Sequence, residues 1–251
     1  MEAGRRLEDR VALVTGASSG LGRATASALA RTGASVVLMA RSRAELEATA
    51  DELGGDGCSA IGVAADLADA SALEGAVRDA LGRFGRIDVL VHAAGTDVPG
   101  AVVELETADW DRVQAVNVRA AFLLAKLVWP SMRAHGAGTI VLVSSVAGRR
   151  GWAGAGAYCA SKFALTGLGQ ALNAEGRDDG IRTCVLYPGA MATSWGAWSA
   201  AEREGRDETR PAAEALAPEQ VADLVVWLAT APPEVVLNEA TLTPLHEQGW
   251  P

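Results

Sequence analysis

Cysteine and aromatic residues are scarce in this chain of 251 residues, which has three cysteines and only 5% aromatic residues. Cys58, Cys159 and Cys184 are odd in number and show no metal-ligand spacing, so we expect free thiols, no metal site and a reducing compartment, the cytoplasm. Cys159 is interpreted as a packing residue, because no neighbour in sequence would activate its thiol.

The chain also lacks an excess of basic residues and any long apolar run. With 22 basic and 31 acidic residues its formal net charge is −9, which argues against nucleic acid or an anionic membrane surface as a partner. No apolar stretch reaches about 18 residues without a charge or a turn residue, so we expect no membrane span. The first ten residues are charged and have no apolar core, which predicts no signal peptide.

Apolar runs alternate with helical segments along the whole chain, which has no visible linker or internal repeat. The predicted strands are 11–14, 35–39, 59–64, 87–91, 139–143, 181–186 and 235–242. This alternation predicts an α/β fold with a parallel seven-stranded sheet, formed by one domain over residues 1–251. The irregular stretch at 190–217 is too long for an ordinary connection, so it is interpreted as a substrate lid.

The first strand runs into a glycine-rich loop, and a helix follows it. The loop reads Thr15-Gly16-Ala17-Ser18-Ser19-Gly20-Leu21-Gly22. A strand, a glycine turn and a helix start together predict a phosphate site, because free N–H groups and the helix dipole face an anion. A plain strand-to-helix turn is the alternative, but the flanking strand and helix favour a dinucleotide and a Rossmann-type, doubly wound sheet with helices on both faces.

The end of the second strand lacks the acidic residue that binds a ribose 2′-hydroxyl, and it carries Arg41 instead. An arginine at this place accommodates a 2′-phosphate, so NADP(H) is favoured over NAD(H). The alternative is that Arg41 and Arg43 are solvated loop charges. Asp66, which follows the third strand with Leu67, is expected either to contact adenine or to cap the next helix.

Tyr158 and Lys162 lie four residues apart on a predicted helix, so they share one face. An ammonium so close to a phenol lowers the tyrosine pKa from about 10, and such a phenol can exchange a proton near neutral pH. Ser145 ends the preceding strand, where its hydroxyl could bond a carbonyl oxygen. By itself, a tyrosine and a lysine four residues apart are common on helix surfaces. The predicted cofactor loop makes a catalytic role for the pair the favoured interpretation.

Two polar residues stand in elements that normally exclude them. His92 ends the fourth strand and is interpreted as a structural hydrogen-bonding residue rather than a catalyst. Asn117 lies inside a helix predicted over 107–135. Since asparagine is disfavoured in helix interiors, Asn117 has either a burial partner or a function.

These motifs, taken together, resemble the short-chain dehydrogenase/reductase family over nearly the whole chain. The matching motifs are the loop at 15–22, Asp66-Leu67, Ala93-Ala94-Gly95, Asn117, Ser145, Tyr158-x-x-x-Lys162, and Pro188-Gly189 with Thr193. The resemblance implies hydride transfer between a nicotinamide and a carbonyl or secondary-alcohol carbon. His92 and Ala93 depart from it, because two asparagines are usual there.

The resemblance implies four catalytic residues: Tyr158 exchanges the proton, Lys162 lowers its pKa and binds the nicotinamide ribose, Ser145 orients the carbonyl, and Asn117 holds a water on a proton path. The expected cofactor contacts are Gly16, Ser18, Ser19, Gly20, Leu21, Arg41, Asp66, Leu67, Ala94, Gly95, Tyr158, Lys162, Pro188, Gly189 and Thr193.

The substrate pocket is expected to be apolar and aromatic, which suits a hydrophobic or secondary-metabolite ketone. Its expected walls are Ala147, Trp152, Met191, Trp195 and Trp198. The alternative is that the tryptophans cover the nicotinamide or sit on helices. A ketoreductase is the first expectation, and 3-oxoacyl thioester reduction and sugar or polyol oxidation remain open.

Two rival functions and an oligomeric state are considered for the same chain. A non-catalytic NADP-binding regulator would not need all four catalytic residues, and an epimerase or dehydratase of the extended branch would need a larger C-terminal region. The resemblance implies a homo-oligomer, a dimer or homotetramer, built on helices 107–135 and 157–177. The tail at 243–251 is expected to dock on a neighbouring subunit, with a frayed end as the alternative.

Overall fold

The structure, a computed structural model, describes residues 7–55, 57–193 and 215–247. Within these ranges seven strands form one parallel sheet in the order β3-β2-β1-β4-β5-β6-β7. The strands are β1 Val11–Thr15, β2 Ser35–Ala40, β3 Ala60–Ala64, β4 Val89–His92, β5 Gly138–Val143, β6 Ile181–Pro188 and β7 Glu239–Leu242. The strand order reverses between β1 and β4, and ligands of such sheets bind at this switch point.

Helices cover both faces of the sheet, as the Rossmann-type prediction requires. They are α1 Gly20–Arg31, α2 Arg43–Gly55, α3 Ala70–Phe84, α4 Thr107–Gln114, α5 Ala120–Ala134, α6 Gly156–Glu175 and α7 Pro218–Thr230. Leu13 joins the apolar cluster under α3, α5 and α6, whereas Val14 joins the cluster under α1, α2 and α7. This alternation along β1 buries both faces, as expected for an all-parallel sheet.

The helix predicted over 107–135 contains a π-helical turn, Ala115–Arg119, between α4 and α5. The Ala120 N–H donates to the carbonyl oxygen of Ala115, five residues earlier. Asn117 sits in the middle of this turn. π turns are rare and occur frequently at functional sites. The unusual asparagine and the unusual helical turn therefore fall at the same place.

The prediction for the last strand is right only for its second half. Val235 and Val236 were expected in a strand over 235–242, but their side chains are 40% and 44% exposed. The Val235 N–H donates to the carbonyl oxygen of Pro232, which makes a turn after α7. Val235 and Val236 were predicted to form a strand because β-branched residues favour strands and the sequence pattern does not reveal this turn.

Most of the predicted lid, residues 194–214, lies outside the described residues, as do Trp195 and Trp198. At its two bases, Met191 and Leu216 pair as an isolated parallel bridge. All three cysteines are described and are free thiols. None of the described helices is long and apolar enough to cross a membrane.

Candidate active site

A cavity of about 880 Å³ lies at the carboxyl ends of the strands. It brings together expected site residues from six segments that are far apart in sequence. Those lining it are Gly16, Ser18, Ser19, Gly20, Leu21, Arg41, Asp66, Leu67, Ala94, Gly95, Tyr158, Lys162, Met191 and Thr193. Pro188 ends β6 and Gly189 follows it, next to the wall but not part of it.

The glycine loop has the backbone that a close ligand requires. Gly16 has φ +68°, and a Cβ there would lie 3.0 Å from backbone atoms of Ala94. Gly20 also has a positive φ and opens α1, and Ser19 makes no side-chain cap at that helix. The first N–H groups of α1 therefore have no capping side chain and can face an anion in the cavity.

The end of the cavity near β2 and β3 is called the outer end. Arg41, directly after β2, lines it together with Ser42 and Glu45. Arg41 is placed where the sequence predicted a 2′-phosphate site. Glu45 was not singled out from the sequence, because an acidic residue in the first turn of a helix is ordinary there.

Asp66 also lines this end, where its carboxylate accepts bonds from Arg112 and from the N–H of Ala68, at 2.8 and 2.9 Å. The hydrogen bond from Arg112 is the largest cause that lowers the pKa of Asp66. The alternative that Asp66 caps the next helix is wrong, since Asp69 accepts from the N–H groups of Ser71 and Ala72 at the start of α3.

Tyr158 lines the inner end of the cavity, and Ser145, which is not itself in the lining, is joined to it by a side-chain hydrogen bond. Ser145 follows β5, and its hydroxyl accepts from the N–H of Ala147 at 3.1 Å, which fixes it at the start of a short 3₁₀ turn. Tyr158 lies in the first turn of α6 and is 9% exposed. The two hydroxyl groups are therefore held next to each other at one edge of the cavity.

Lys162 lies one turn along α6, with its ammonium 5.4 Å from the centre of the Tyr158 ring. Its Nζ donates to the carbonyl oxygen of Val143 at 2.9 Å. Burial lowers the pKa of Lys162 to about 8, and the nearby carboxylate of Asp97 acts in the opposite direction. This lysine is thus charged at neutral pH but close to its titration.

The expected lowering of the Tyr158 pKa does not occur in this structure. Burial of the phenol raises its pKa above the ordinary value, the bond from Ser145 lowers it, and the Asp97 carboxylate raises it further. The sequence argument counted the ammonium but not the loss of water around the ring, which disfavours the phenolate. The phenol therefore keeps its proton at neutral pH.

Asn117 is completely buried, and its side-chain amide is tied on both sides. Its Oδ1 accepts from the N–H of Thr96 at 2.8 Å, and its Nδ2 donates to the Thr96 carbonyl and to Ser161 Oγ, each at 2.9 Å. Both amide protons are thereby used. A water at Asn117 would have to bind the remaining Oδ1 lone pair or a backbone group of the π turn.

His92 is also completely buried, and the structural interpretation of its role is confirmed. Its Nδ1 lies 3.1 Å from Thr15 Oγ1, and that oxygen accepts from the N–H of Ala94 at 3.1 Å. Burial, with the nearby charge of Lys162, lowers the pKa of His92 to about 3. A neutral imidazole thus links the ends of β1 and β4 beneath the glycine loop.

The expected substrate residues occupy different places relative to the cavity. Trp152 is 49% exposed and does not line the cavity, because the loop at 149–154 directs it to solvent. Ala147 is buried in a small cluster with Tyr158 rather than in the wall. Met191 lines the cavity, and so does Asp97, which the sequence analysis missed because nothing distinguishes it from other loop acids.

The chain was compared with known families and proteins. A family model for short chain dehydrogenases matches residues 10–204. Among curated proteins, D-threitol dehydrogenase of Mycolicibacterium smegmatis is 37% identical over 227 residues, which cover 90% of this chain and 87% of that protein.

Solved structures give the same result. An alcohol dehydrogenase of the archaeon Thermococcus sibiricus, complexed with 5-hydroxy-NADP, is similar with a TM-score of 0.85 and 30% identity, over 96% of this chain and 98% of that one. A metagenomic short-chain oxidoreductase in complex with NADP has a TM-score of 0.83 and 34% identity, over 95% of this chain and 99% of that one.

Proposed function

Because the chain belongs to the short-chain dehydrogenase family, we propose that it is an NADP(H)-dependent oxidoreductase acting on a ketone or secondary alcohol. The observation that carries the proposal is that Tyr158, bonded to Ser145, and Lys162 beside it both line the cavity that begins at the glycine loop. When bound, the cofactor supplies or accepts the hydride. The residues fit it: an uncapped helix start, a glycine loop that lines the cavity, and Arg41 at the outer end.

The side chains then handle the proton and the developing charge. Addition of hydride to a carbonyl builds negative charge on oxygen, and the two hydroxyls of Ser145 and Tyr158 stabilise that charge. Tyr158 gives its proton to the oxygen, and the ammonium of Lys162 stabilises the phenolate that remains. The phenol carries its proton at neutral pH, so it can donate that proton in the reduction direction.

NADP(H), rather than NAD(H), is proposed on the placement of Arg41. The guanidinium follows β2 and lines the outer end of the cavity, and an arginine there accommodates a 2′-phosphate. The similar structures of the Thermococcus enzyme and the metagenomic oxidoreductase contain 5-hydroxy-NADP and NADP, which supports this choice.

For the substrate, we propose a ketone first and a polyol second. The hydrophobic ketone was expected from three tryptophans, of which Trp152 is not in the wall and the other two are not described. The polyol is favoured by Asp97, a carboxylate in the wall that can accept hydrogen bonds from substrate hydroxyls, and by the likeness to D-threitol dehydrogenase. A 3-oxoacyl thioester bound to an acidic carrier protein is disfavoured as the substrate, because this chain has a net charge of −9 and would repel such a carrier.

Asp97→Asn separates the two substrate classes. If a polyol is the substrate, this change raises the KM for threitol about tenfold or more, because a charge-assisted hydrogen bond is lost, while the KM for a hydrophobic ketone stays within about twofold. An unchanged KM for polyols would remove Asp97 from the specificity site and favour the ketone class.

The remaining expectations are kept as proposals. We propose one domain over 1–251 with residues 190–217 covering the substrate, a cytoplasmic location, and a homo-oligomer. Phe122 on α5 and Phe163 on α6 support the last point, since these apolar side chains are 47% and 46% exposed on the two helices expected at the interface.

Tyr158→Phe tests the function and its rival. The wild type should consume NADPH with members of a ketone panel, and the variant should bind NADPH but lose about a hundredfold or more in kcat. A protein that binds NADPH without turning over any ketone or oxidising any polyol would be the non-catalytic regulator instead. A wild type that binds no pyridine nucleotide would overturn both.

A further inference from the structure

The C-terminal segment returns from β7 to the end of β6. The N–H of Glu247 donates to the carbonyl oxygen of Pro244 at 3.0 Å, which closes a turn after the last strand. From this turn the Glu247 side chain reaches the chain at the end of β6, where the N–H of Ala190 donates to Glu247 Oε2 at 3.2 Å. The contact joins residues 57 apart in sequence.

The Glu247 carboxylate occupies the place that a side chain on Gly189 would take. A Cβ on Gly189 would overlap the carboxylate oxygens, which are the nearest atoms to it. Gly189 is not among the described glycines with a positive φ, so its backbone conformation does not demand glycine. The space beside its Cα is taken by the carboxylate at the end of the Glu247 side chain, so Gly189 and Glu247 form a contacting pair.

The backbone held by Glu247 leads directly into the cavity wall. The carbonyl oxygen of Ala190 accepts from the N–H of Leu216 at 2.9 Å, and the N–H of Ala192 donates to the Leu216 carbonyl at 2.8 Å. Glu247 binds the N–H of Ala190, so both polar backbone groups of that residue are engaged. Met191 and Thr193, which directly follow, line the cavity.

We propose that Glu247 is a positioning residue for the nicotinamide end of the site. Its carboxylate holds Ala190 in place, and thereby sets the position of Met191 and Thr193 against the cofactor. The proposal rests on the proposed function, in which the nicotinamide lies near Tyr158, and on the expected cofactor contact of Thr193, which lines the same cavity. It adds a requirement from the tail at 243–251, where the sequence predicted docking on a neighbouring subunit and Glu247 instead contacts its own chain.

The test compares binding of two probes, NADPH and adenosine 2′,5′-bisphosphate, which lacks the nicotinamide. Glu247→Ala should raise the Kd for NADPH about tenfold, the cost of one hydrogen bond to a charged group, and leave the Kd for the bisphosphate within about twofold. Glu247→Gln, which keeps an acceptor oxygen and almost the same shape, should fall between wild type and Glu247→Ala, and it covers the case in which the alanine variant does not fold.

A double-mutant cycle with Gly189→Ala tests the pairing itself. The added methyl group should expel the carboxylate, so Gly189→Ala and Glu247→Ala should each weaken NADPH binding, and the double variant should bind no more weakly than Gly189→Ala alone. Fully additive effects would overturn the pairing. Equal losses for both probes would make Glu247 a merely structural residue and overturn the positioning role.

The two proposals fail in distinguishable ways. A wild type that binds NADPH and reduces ketones, with Glu247→Ala and Glu247→Gln indistinguishable from it, refutes the role of Glu247 and leaves the enzyme intact. A wild type that binds the bisphosphate but not NADPH refutes the proposed function, and with it the role given to Glu247.

Discussion

The side-chain amide of Asn117 donates to Ser161 Oγ at 2.9 Å, and this hydroxyl donates to the carbonyl oxygen of Tyr158 at 2.7 Å. Ser161 therefore joins the π turn between α4 and α5 to the first turns of α6. All three residues lie below 10% exposure, so water does not replace these bonds. Ser161 thus connects Asn117, which the resemblance places on a proton path, to the backbone of Tyr158, the proposed proton donor.

Ser161→Ala should lower both stability and turnover. The change leaves a buried N–H of Asn117 without its acceptor, which costs about 1–2 kcal/mol in the free energy of unfolding, and it loosens Asn117 relative to Tyr158. Urea denaturation and kcat for ketone reduction measure the two effects.

Ser131→Ala is the matched control, because Ser131 Oγ accepts from the N–H of Ile87 at 3.0 Å on α5, away from the cavity. It should cost a similar free energy of unfolding without changing kcat. Equal kcat values in both serine variants would show that the Asn117–Ser161 bond does not position the catalytic residues.

Much of the site could be predicted from the sequence, because its members come from local signals. A glycine loop between a strand and a helix, or Tyr158 and Lys162 four apart on one face, depends only on backbone periodicity and spacing. The same is true of the sheet, since alternating strands and helices allow few arrangements.

What sequence reasoning missed depends on contacts between distant segments. Arg112 reaches Asp66 across 46 residues, and Glu247 reaches Ala190 across 57, so no local pattern reveals either. The direction of the Tyr158 pKa was also wrong, because it depends on how completely the fold removes water from the ring. Val235 and Val236 show the same limit, since a turn set by Pro232 overrides their strand propensity.

Lys162→Met should abolish most activity while stabilising the protein. Burial holds the pKa of Lys162 at about 8 instead of 10.5, so at neutral pH the folded state carries a buried charge that costs about 3 kcal/mol. Methionine removes that cost but also loses the bond to Val143, worth about 1 kcal/mol. The free energy of unfolding at pH 7 should therefore rise by about 2 kcal/mol, while kcat falls about a hundredfold or more.

The predicted gain in the stability of Lys162→Met depends on pH, and this dependence tests it. Because the folded pKa is depressed, the unfolded chain binds the proton more tightly, and wild-type stability should rise from about pH 8 to 10.5 relative to the variant. Denaturation of both proteins at pH 7 and pH 10 measures this. A variant that is less stable at pH 7 would contradict the buried cost assigned to the ammonium.

Arg41→Ala should weaken the binding of NADPH and leave the binding of NADH unchanged. Loss of a charge-assisted bond to a 2′-phosphate should raise the KM for NADPH about tenfold or more, and Arg41→Asp should go further by repelling the phosphate. Steady-state kinetics with both cofactors measure the preference.

Arg43→Ala is the control for Arg41, since Arg43 is one position beyond Ser42, lies outside the cavity and pairs with Glu47 on α2 at 3.9 Å. It should leave both KM values within about twofold, because exposed ion pairs contribute little. Equal effects of the two arginine changes would assign the preference to the general charge of the loop rather than to Arg41.

His92 should make the protein lose stability in mild acid. Its pKa is about 3 in the folded state and about 6.5 in an unfolded chain, so below pH 6.5 only the unfolded chain takes up this proton. The free energy of unfolding should therefore fall as the pH drops from about 6.5 towards 3. Between pH 7 and pH 5 the loss from this residue alone should be about 2 kcal/mol, before ordinary carboxylates titrate.

His92→Asn isolates this effect, because asparagine can still bond Thr15 but does not titrate. Urea denaturation at pH 7, 6 and 5 should show a shallower decline for His92→Asn than for the wild type, whereas His135→Asn, at an exposed histidine after α5, should follow the wild type. Parallel curves for wild type and His92→Asn would mean that the imidazole accepts a proton in the folded state. The neutral link between β1 and β4 beneath the glycine loop would then be wrong.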